Sequence, residues 1–304
     1  MERSRKISQT LFAVAANSYW SFLWKSPIFK GWSKRICCPG LNCYSCPAAV
    51  MACPIGGLQN FLASFRINLK LAEMQFGAYI LGTLALIGSF VGRMPCGWLC
   101  PFGFVQEFLY RIPTPKISVG RWTRVGPYIF LGLFVIILPI LVVDATGYGA
   151  TWFCKYICPA GTVEAGLPLL GLHPELRRAA GWLFVNKLVV LVVILVWCVV
   201  TSRAFCRAIC PLGAIYGLFN RISFLRLNFD QSKCVNCKAC KTICPTSISF
   251  YNGEDQINST ACIRCMRCYS MCPVSAVSFS LGLYAGDLTN NEQQAGKAAG
   301  EKAA

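Results

Sequence analysis

The chain has 304 residues, is 55% hydrophobic and only 13% charged, and carries a formal net charge of +17. It is too apolar for an ordinary soluble domain. No basic run is interleaved with aromatics as on a nucleic-acid surface, so no nucleic acid is expected as a partner. Twenty cysteines stand against one histidine, His173, which leaves no ligand pair for a bis-histidine haem on this chain.

The start, MERSRKISQT, lacks a small-residue cleavage site, so no cleaved export signal is expected. Without an oxidising compartment, closely spaced cysteines read as metal or cluster ligands rather than disulfides. A [4Fe-4S] centre with four thiolates carries about two negative charges, so several would offset much of the basic excess. The remaining Lys and Arg flank apolar helices, where they anchor to lipid headgroups, making the bilayer the first expected partner.

In chain order, a first membrane helix is expected at about 8–28, although it holds Asn17 and Lys25. Next comes the cysteine-rich stretch ICCPGLNCYSCPAAVMACP. Three stronger membrane helices follow, at 76–93, 127–144 and 183–201. Each approaches the roughly 20 apolar residues that a hydrocarbon core requires.

A pattern recurs four times along this region: CPIGGLQ from Cys53, CPFGFVQ from Cys100, CPAGTVE from Cys158 and CPLGAIY from Cys210. The steps between these cysteines are 47, 58 and 52 residues, which marks one structural unit reused. Each unit reads as an apolar helix, a Cys-Pro-x-Gly turn and a short re-entrant or interfacial helix. A residue before proline is pushed out of α geometry, while proline suits the first position of the next helix. The cysteines therefore sit at a bend, near a helix N-terminus that favours an anionic ligand.

From about residue 228 the apolar runs stop. CVNCKACKTICP (Cys234 to Pro245) and CIRCMRCYSMCP (Cys262 to Pro273) both match C-x2-C-x2-C-x3-C-P, the two-cluster bacterial ferredoxin pattern. The fourth cysteine of each run crosses to the other cluster in that pattern. One centre would use Cys234, Cys237, Cys240 and Cys272, the other Cys262, Cys265, Cys268 and Cys244. A zinc ribbon is the plainer alternative, but both halves in register argue against it. Residues 283–304 are expected to be a disordered tail, since from about 287 onward, DLTNNEQQAGKAAGEKAA, there is no aromatic.

Single spans between the repeats make successive turns face alternate sides. Cys96, Cys100, Cys206 and Cys210 then share the ferredoxin side, enough for a third cluster. The opposite side offers Cys154 and Cys158 with Cys37, Cys38, Cys43, Cys46 and Cys53. A fourth cluster there would take Cys154, Cys158 and two of Cys43, Cys46 and Cys53, because the expected mate of Cys53 at position 49 is alanine. Cys37, Cys38 and Cys198 read as buried structural thiols. Glu107 and Glu164, seven and six residues after their cysteines, are candidates for a quinone or proton role, with Gln59, Gln106 and Tyr216 nearby in the pattern. An ordinary polar helix face is the plainer reading of both acids. His173 reads as a solvated loop residue and Asp144 as a helix end.

The CGWLCPFG turn, the Cys-Pro repeats, LNCYSCP and the double ferredoxin run together resemble the membrane-bound iron–sulfur proteins related to NapH, the quinol dehydrogenase subunit of periplasmic nitrate reductase systems. The membrane parts of the nitrous-oxide reductase regulator and of the oxidase-assembly iron–sulfur protein share the turn. The likeness covers about 37–277, and the extra C-x3-C-P pair and cysteine-rich loop depart from it. It implies an electron-transfer subunit of an oxidoreductase system, active in anaerobic respiration, rather than a stand-alone catalyst.

The fold expected is therefore a membrane α-helical unit of about four spans, 1–227, followed by a small α+β two-cluster ferredoxin domain, 228–282. About four [4Fe-4S] clusters are expected, with a quinone as a further candidate cofactor. The protein would relay electrons between a cytoplasmic donor or the quinone pool and redox subunits on one or both sides of the membrane. It would be multi-pass in the inner membrane, with the ferredoxin domain cytoplasmic. The alternative is a redox-sensing or metalloenzyme-maturation protein with the same clusters.

Overall fold

A computed structural model describes residues 1–23, 28–71, 74–117 and 119–282. The expected tail, 283–304, lies outside them. Two helices, Arg121–Leu141 and Trp182–Val200, are long and apolar enough to cross a membrane. A third apolar helix, Gln75–Val91, has 17 residues and so is about 26 Å long. All three turn large apolar side chains outward, among them Phe76, Leu86, Ile129, Leu141, Val189 and Val193. Trp122 and Trp182, each at least 80% exposed, stand at the starts of the two long helices, as indoles do at headgroup level.

The first helix differs from the expected 8–28. It runs from Glu2 to Ala16 and is followed by a tight turn at Trp20–Leu23; residues 24–27 lie outside the described ones. At 15 residues it is about 22 Å long, short of a roughly 30 Å core. Its polarity is inverted: Arg5 and Gln9 are fully buried while Ile7, Leu11 and Val14 face out. The buried polar side chains find partners on the Cys96 turn, where Gly97 O accepts from Arg5 and Gln9. Those bonds set the helix earlier in the chain than hydropathy suggests. Its far end meets the cysteine-rich loop, with Val50 N–H on Ala16 O and Tyr19 N–H on Ala48 O.

The Arg121–Leu141 span contains a π turn over Leu131–Ile137 just before Pro139. In that register Leu138 N–H bonds Leu133 O, so the next donor would serve Phe134 O. Residue 139 is proline and has no N–H. The stranded Phe134 carbonyl is taken by Gln59 Nε2 at 2.8 Å.

The chain beyond the last span forms a two-stranded antiparallel sheet of β1, Leu225–Phe229, and β2, Val277–Leu281, in register Leu225↔Leu281. Strand β1 begins three residues before the boundary expected at 228. Two short helices, Ala239–Ile243 and Arg267–Met271, pack on each other. The halves repeat at 28 residues: Asn236, Lys238 and Ser247 have positive φ, as do Arg264, Met266 and Ser275. Left-handed residues at matched places bend each loop so that its N–H groups turn inward.

Candidate iron–sulfur sites

In the C-terminal unit, one cavity is lined by Cys234, Cys237, Cys240 and Cys272, and another by Cys244, Cys262, Cys265 and Cys268. These are the crossed sets read from the spacing. Ile248 N–H points at Cys244 Sγ (3.5 Å) and Ala276 N–H at Cys272 Sγ (3.2 Å), again 28 residues apart. Cys237 is exposed, so the first cavity faces solvent. The second faces the membrane unit.

That contact is tight. A Cβ on Gly97 would lie 2.5 Å from Ile263 O, so only glycine lets the Cys96 turn approach. Trp98 Nε1 donates to Arg264 O at 3.0 Å, Arg93 donates to Thr260 O, and Asn220 donates to Ser259 O and Cys262 O. A part-buried ion network closes the same edge, with Glu107 accepting from Arg5, Arg203 and Arg267 while Glu2 accepts from Arg5 and Arg267. Burial pushes the Glu107 carboxyl up, but the Arg203, Arg5 and Arg267 charges outweigh it and hold it down at about 2. Glu107, a candidate proton or quinone group, thus faces three arginines.

All four repeat cysteines cap their helices in extended geometry, with φ between −61° and −68° and ψ between 110° and 126°. Three turns close the same way: Cys100 N–H on Pro95 O, Cys158 N–H on Phe153 O and Cys210 N–H on Phe205 O. The glycine of each Cys-Pro-x-Gly turn offers its N–H to the preceding sulfur, as Gly103 does to Cys100 Sγ at 3.4 Å.

Cys96, Cys100, Cys206 and Cys210 form one buried group at the ferredoxin side. Its halves mirror each other. Arg93, three residues before Cys96, donates to Cys206 O, and Arg203, three before Cys206, donates to Cys96 O. A Cβ on Gly213 would come within 2.4 Å of Arg93, and one on Gly103 within 3.1 Å of Arg203. The glycines thus serve both the sulfurs and the arginines. Gln106 Nε2 donates to Cys206 Sγ at 3.0 Å, and Cys198 donates to Gln106 Oε1.

At the far side Cys154 and Cys158 neighbour Cys43 and Cys53. Cys46 lies beside Cys43, but it is directed to Asn17 Oδ1 and lies near Lys34. Glu164 Oε2 accepts Cys43 N–H at 2.5 Å; burial pushes its carboxyl up to about 7, against the pull of that N–H. Lys187 lies next to Gly161, within 4 Å of a Cβ built there. Cys37 sits near Tyr79 and Thr83. Cys38, fully buried, has both Cys53 and Cys100 as neighbours. Tyr216, also fully buried, has Cys96, Cys38 and Cys53 nearby. The two membrane groups are therefore bridged by shared residues.

These sites fit iron–sulfur centres in their chemistry. Thiols are grouped with backbone N–H donors on several of the sulfurs, the environment that stabilises a cluster, while among the described residues no three such side chains stand close enough to hold a single metal ion. The buried guanidiniums Arg93 and Arg264 bond carbonyl and amide oxygens, Arg93 also faces the Cys96 thiol, and neither has a carboxylate partner among the described residues. Buried cations without carboxylates call for anions nearby, which four-thiolate centres supply. The sequence reading missed Arg93 and Arg203; both stand three residues before a cysteine, and that shared offset was the available signal.

The comparisons agree. A family described as a 4Fe-4S dicluster domain matches residues 226–273. One described as a 4Fe-4S binding domain matches 74–120, 130–169 and 184–229, three repeats of the membrane unit. In both parts the chain is similar to the NapH-like ferredoxin-type proteins. It is 28% identical over 242 residues to the methylamine utilization ferredoxin-type protein MauN of Paracoccus denitrificans (71% of this chain, 76% of that one). It is 27% identical over 169 residues to the ferredoxin-type protein NapH of Haemophilus influenzae (55% and 52%). An uncharacterized protein of Methanocaldococcus jannaschii, MJ0750, is 28% identical over 257 residues (83% and 85%). No solved structure matches the chain.

Proposed function

We propose that this protein is an integral membrane electron relay holding four [4Fe-4S] clusters. Two occupy an α+β ferredoxin-type domain at about 228–282, on Cys234/Cys237/Cys240/Cys272 and Cys244/Cys262/Cys265/Cys268. One occupies the near membrane site, on Cys96/Cys100/Cys206/Cys210. The fourth is held by Cys43, Cys53, Cys154 and Cys158, with Cys46 left as a free thiol. The observation that carries this reading is continuity. Gly97 lies against the Ile263–Cys265 backbone, and Cys38 and Tyr216 adjoin both membrane groups. Each cysteine group thus abuts the next.

Electrons would pass singly along this line, each cluster oxidised as the next is reduced. The exposed Cys237 end is the docking point for a soluble or subunit partner, and the far site exchanges with a partner or a quinol across the membrane. The short first helix serves as a fourth crossing, because the Cys-Pro turns draw both sites inward and thin the distance to be spanned. Clusters are assembled in the cytoplasm, so the ferredoxin domain lies there and the chain is multi-pass in the inner membrane. The names of its relatives support the role, the protein YccM of Escherichia coli being described as a putative electron transport protein.

Anaerobic purification with iron and sulfide counting, followed by EPR titration, tests the reading. Four clusters give about sixteen irons per chain. About eight irons would remove the membrane clusters and the relay with them.

A further inference from the structure

The repeat contains a regularity that the cluster ligands do not use. Six residues after the second cysteine of each turn stand Gln59, Gln106, Glu164 and Tyr216. All are polar, and Gln59, Gln106 and Tyr216 are fully buried in an apolar helix context. Such burial is costly unless a partner is provided.

The partners share one rule. Gln106, on the Cys100 helix, reaches across the near site to Cys206, donating to its Sγ at 3.0 Å and accepting its N–H at 3.5 Å. Gln59, on the Cys53 helix, reaches across the far site and accepts Cys154 N–H at 3.1 Å. Glu164, on the Cys158 helix, crosses the same site in the other direction and accepts Cys43 N–H. Each side chain leaves its own half-site and holds a cysteine of the opposite half.

Tyr216, on the Cys210 helix, is the fourth. Its hydroxyl has no hydrogen-bond partner among the described residues, and Cys96, in the opposite half of the near site, is its foremost thiol neighbour. The Arg93–Cys206 and Arg203–Cys96 exchange shows that the near site has two-fold character. The same operation pairs Tyr216 with Cys96 as it pairs Gln106 with Cys206, although in this structure the Tyr216 hydroxyl makes no hydrogen bond to it.

We propose that the residue six positions after each Cys-Pro cysteine is a clasp that positions the opposing cysteine, and that Gln106 and Tyr216 together set the reduction potential of the near membrane cluster. The inference rests on the four-cluster reading. An N–H or O–H aimed at a cluster sulfur stabilises the reduced, more negative state and so raises the potential. The far-site clasps instead accept from backbone N–H groups and hold the loop and the Cys154 turn in place.

The test uses the full chain, purified anaerobically in detergent, with iron counting and EPR-monitored redox titration. Loss of a signal in Cys100→Ser identifies the near cluster. Gln106→Leu and Tyr216→Phe should each lower the midpoint of that one cluster and leave the other three unmoved. For Gln106→Leu the expected change is about tenfold fewer reduced centres at a fixed potential, equivalent to about 59 mV for one electron. Gln59→Leu should alter the other membrane cluster only. Glu164→Gln, the residue used at two equivalent positions, should keep all the iron, while Glu164→Ala should lose about four atoms.

Wild-type midpoints in both Gln106→Leu and Tyr216→Phe, or Gln59→Leu shifting the near cluster, overturn the clasp. Should Gln106→Leu fail to fold, Tyr216→Phe, which removes one oxygen, decides by itself. A wild-type count of about eight irons shows instead that the four-cluster reading has failed, and the clasp falls with it.

Discussion

The near and far membrane sites are built from the same turn, yet only one of them is symmetric. At the near site two C-x3-C-P pairs face each other, each with an arginine three residues upstream that bonds the other's carbonyl. At the far site one such pair faces a loop, position 49 is a buried alanine, and Cys43 lies beside Cys53 in its stead. Thr151 stands where the arginine would be. The near site is thus locked by charge on both halves and welded to the ferredoxin unit, whereas the far site depends on the path of a loop and on Glu164. The repeated turn supplies the cysteine geometry; what surrounds it distinguishes the two sites.

Exchanging the loop cysteines breaks or sharpens this comparison with the largest effect. Cys43→Ser should cost about four irons of sixteen, while Cys46→Ser should cost none; the reverse result would reassign the far site. Next in size is the glycine pair. In Gly213→Ala the new methyl meets Arg93 at 2.4 Å, and overpacking of roughly 1–3 kcal/mol should lower the detergent melting temperature. The matched Gly161→Ala meets only ordinary contacts, the nearest being Cys43 Sγ at 3.6 Å, and should melt close to wild type. Equal behaviour of the two would show that the near-site arginines do not constrain its glycines.

Glu107→Gln tests the weld between the units. It leaves the Arg203 guanidinium buried without its carboxylate, while Arg5 keeps only Glu2, a loss of about 3 kcal/mol by analogy with other broken buried pairs. Proteolysis should then release the N-terminal helix sooner, with the far site untouched. The smallest effect is expected from Cys38→Ser, which should retain the full iron count because Cys38 adjoins both sites as packing and belongs to neither set. Loss of iron there would draw Cys38 into the ligand set and undo the proposed far-site assignment.

Much of this organisation was legible in the residues themselves. The three-sulfur groups of the C-terminal unit follow from spacing, because short loops leave three sulfurs nowhere else to converge, while the crossing of each fourth cysteine is what the bacterial ferredoxin pattern implies. The Cys-Pro bend follows from proline's own sterics, and the structure shows all four second cysteines as extended helix caps. The three strong apolar helices were readable from hydropathy, since outward-facing side chains on them answer to solvent and not to neighbours.

What the sequence could not decide was every feature that depends on a partner distant in the chain. Hydropathy set the first helix at 8–28, but Arg5 and Gln9 prefer the Gly97 carbonyl to water, and that contact spans about ninety residues. Three cysteines competed for two places at the far site, and only the fold of the 37–53 loop brings Cys43 against Cys158. Glu107 and Glu164 looked alike as acids behind a turn; one faces three arginines and the other a single backbone N–H. Local sterics and spacing fix what each turn is, and tertiary packing fixes which turn it answers to.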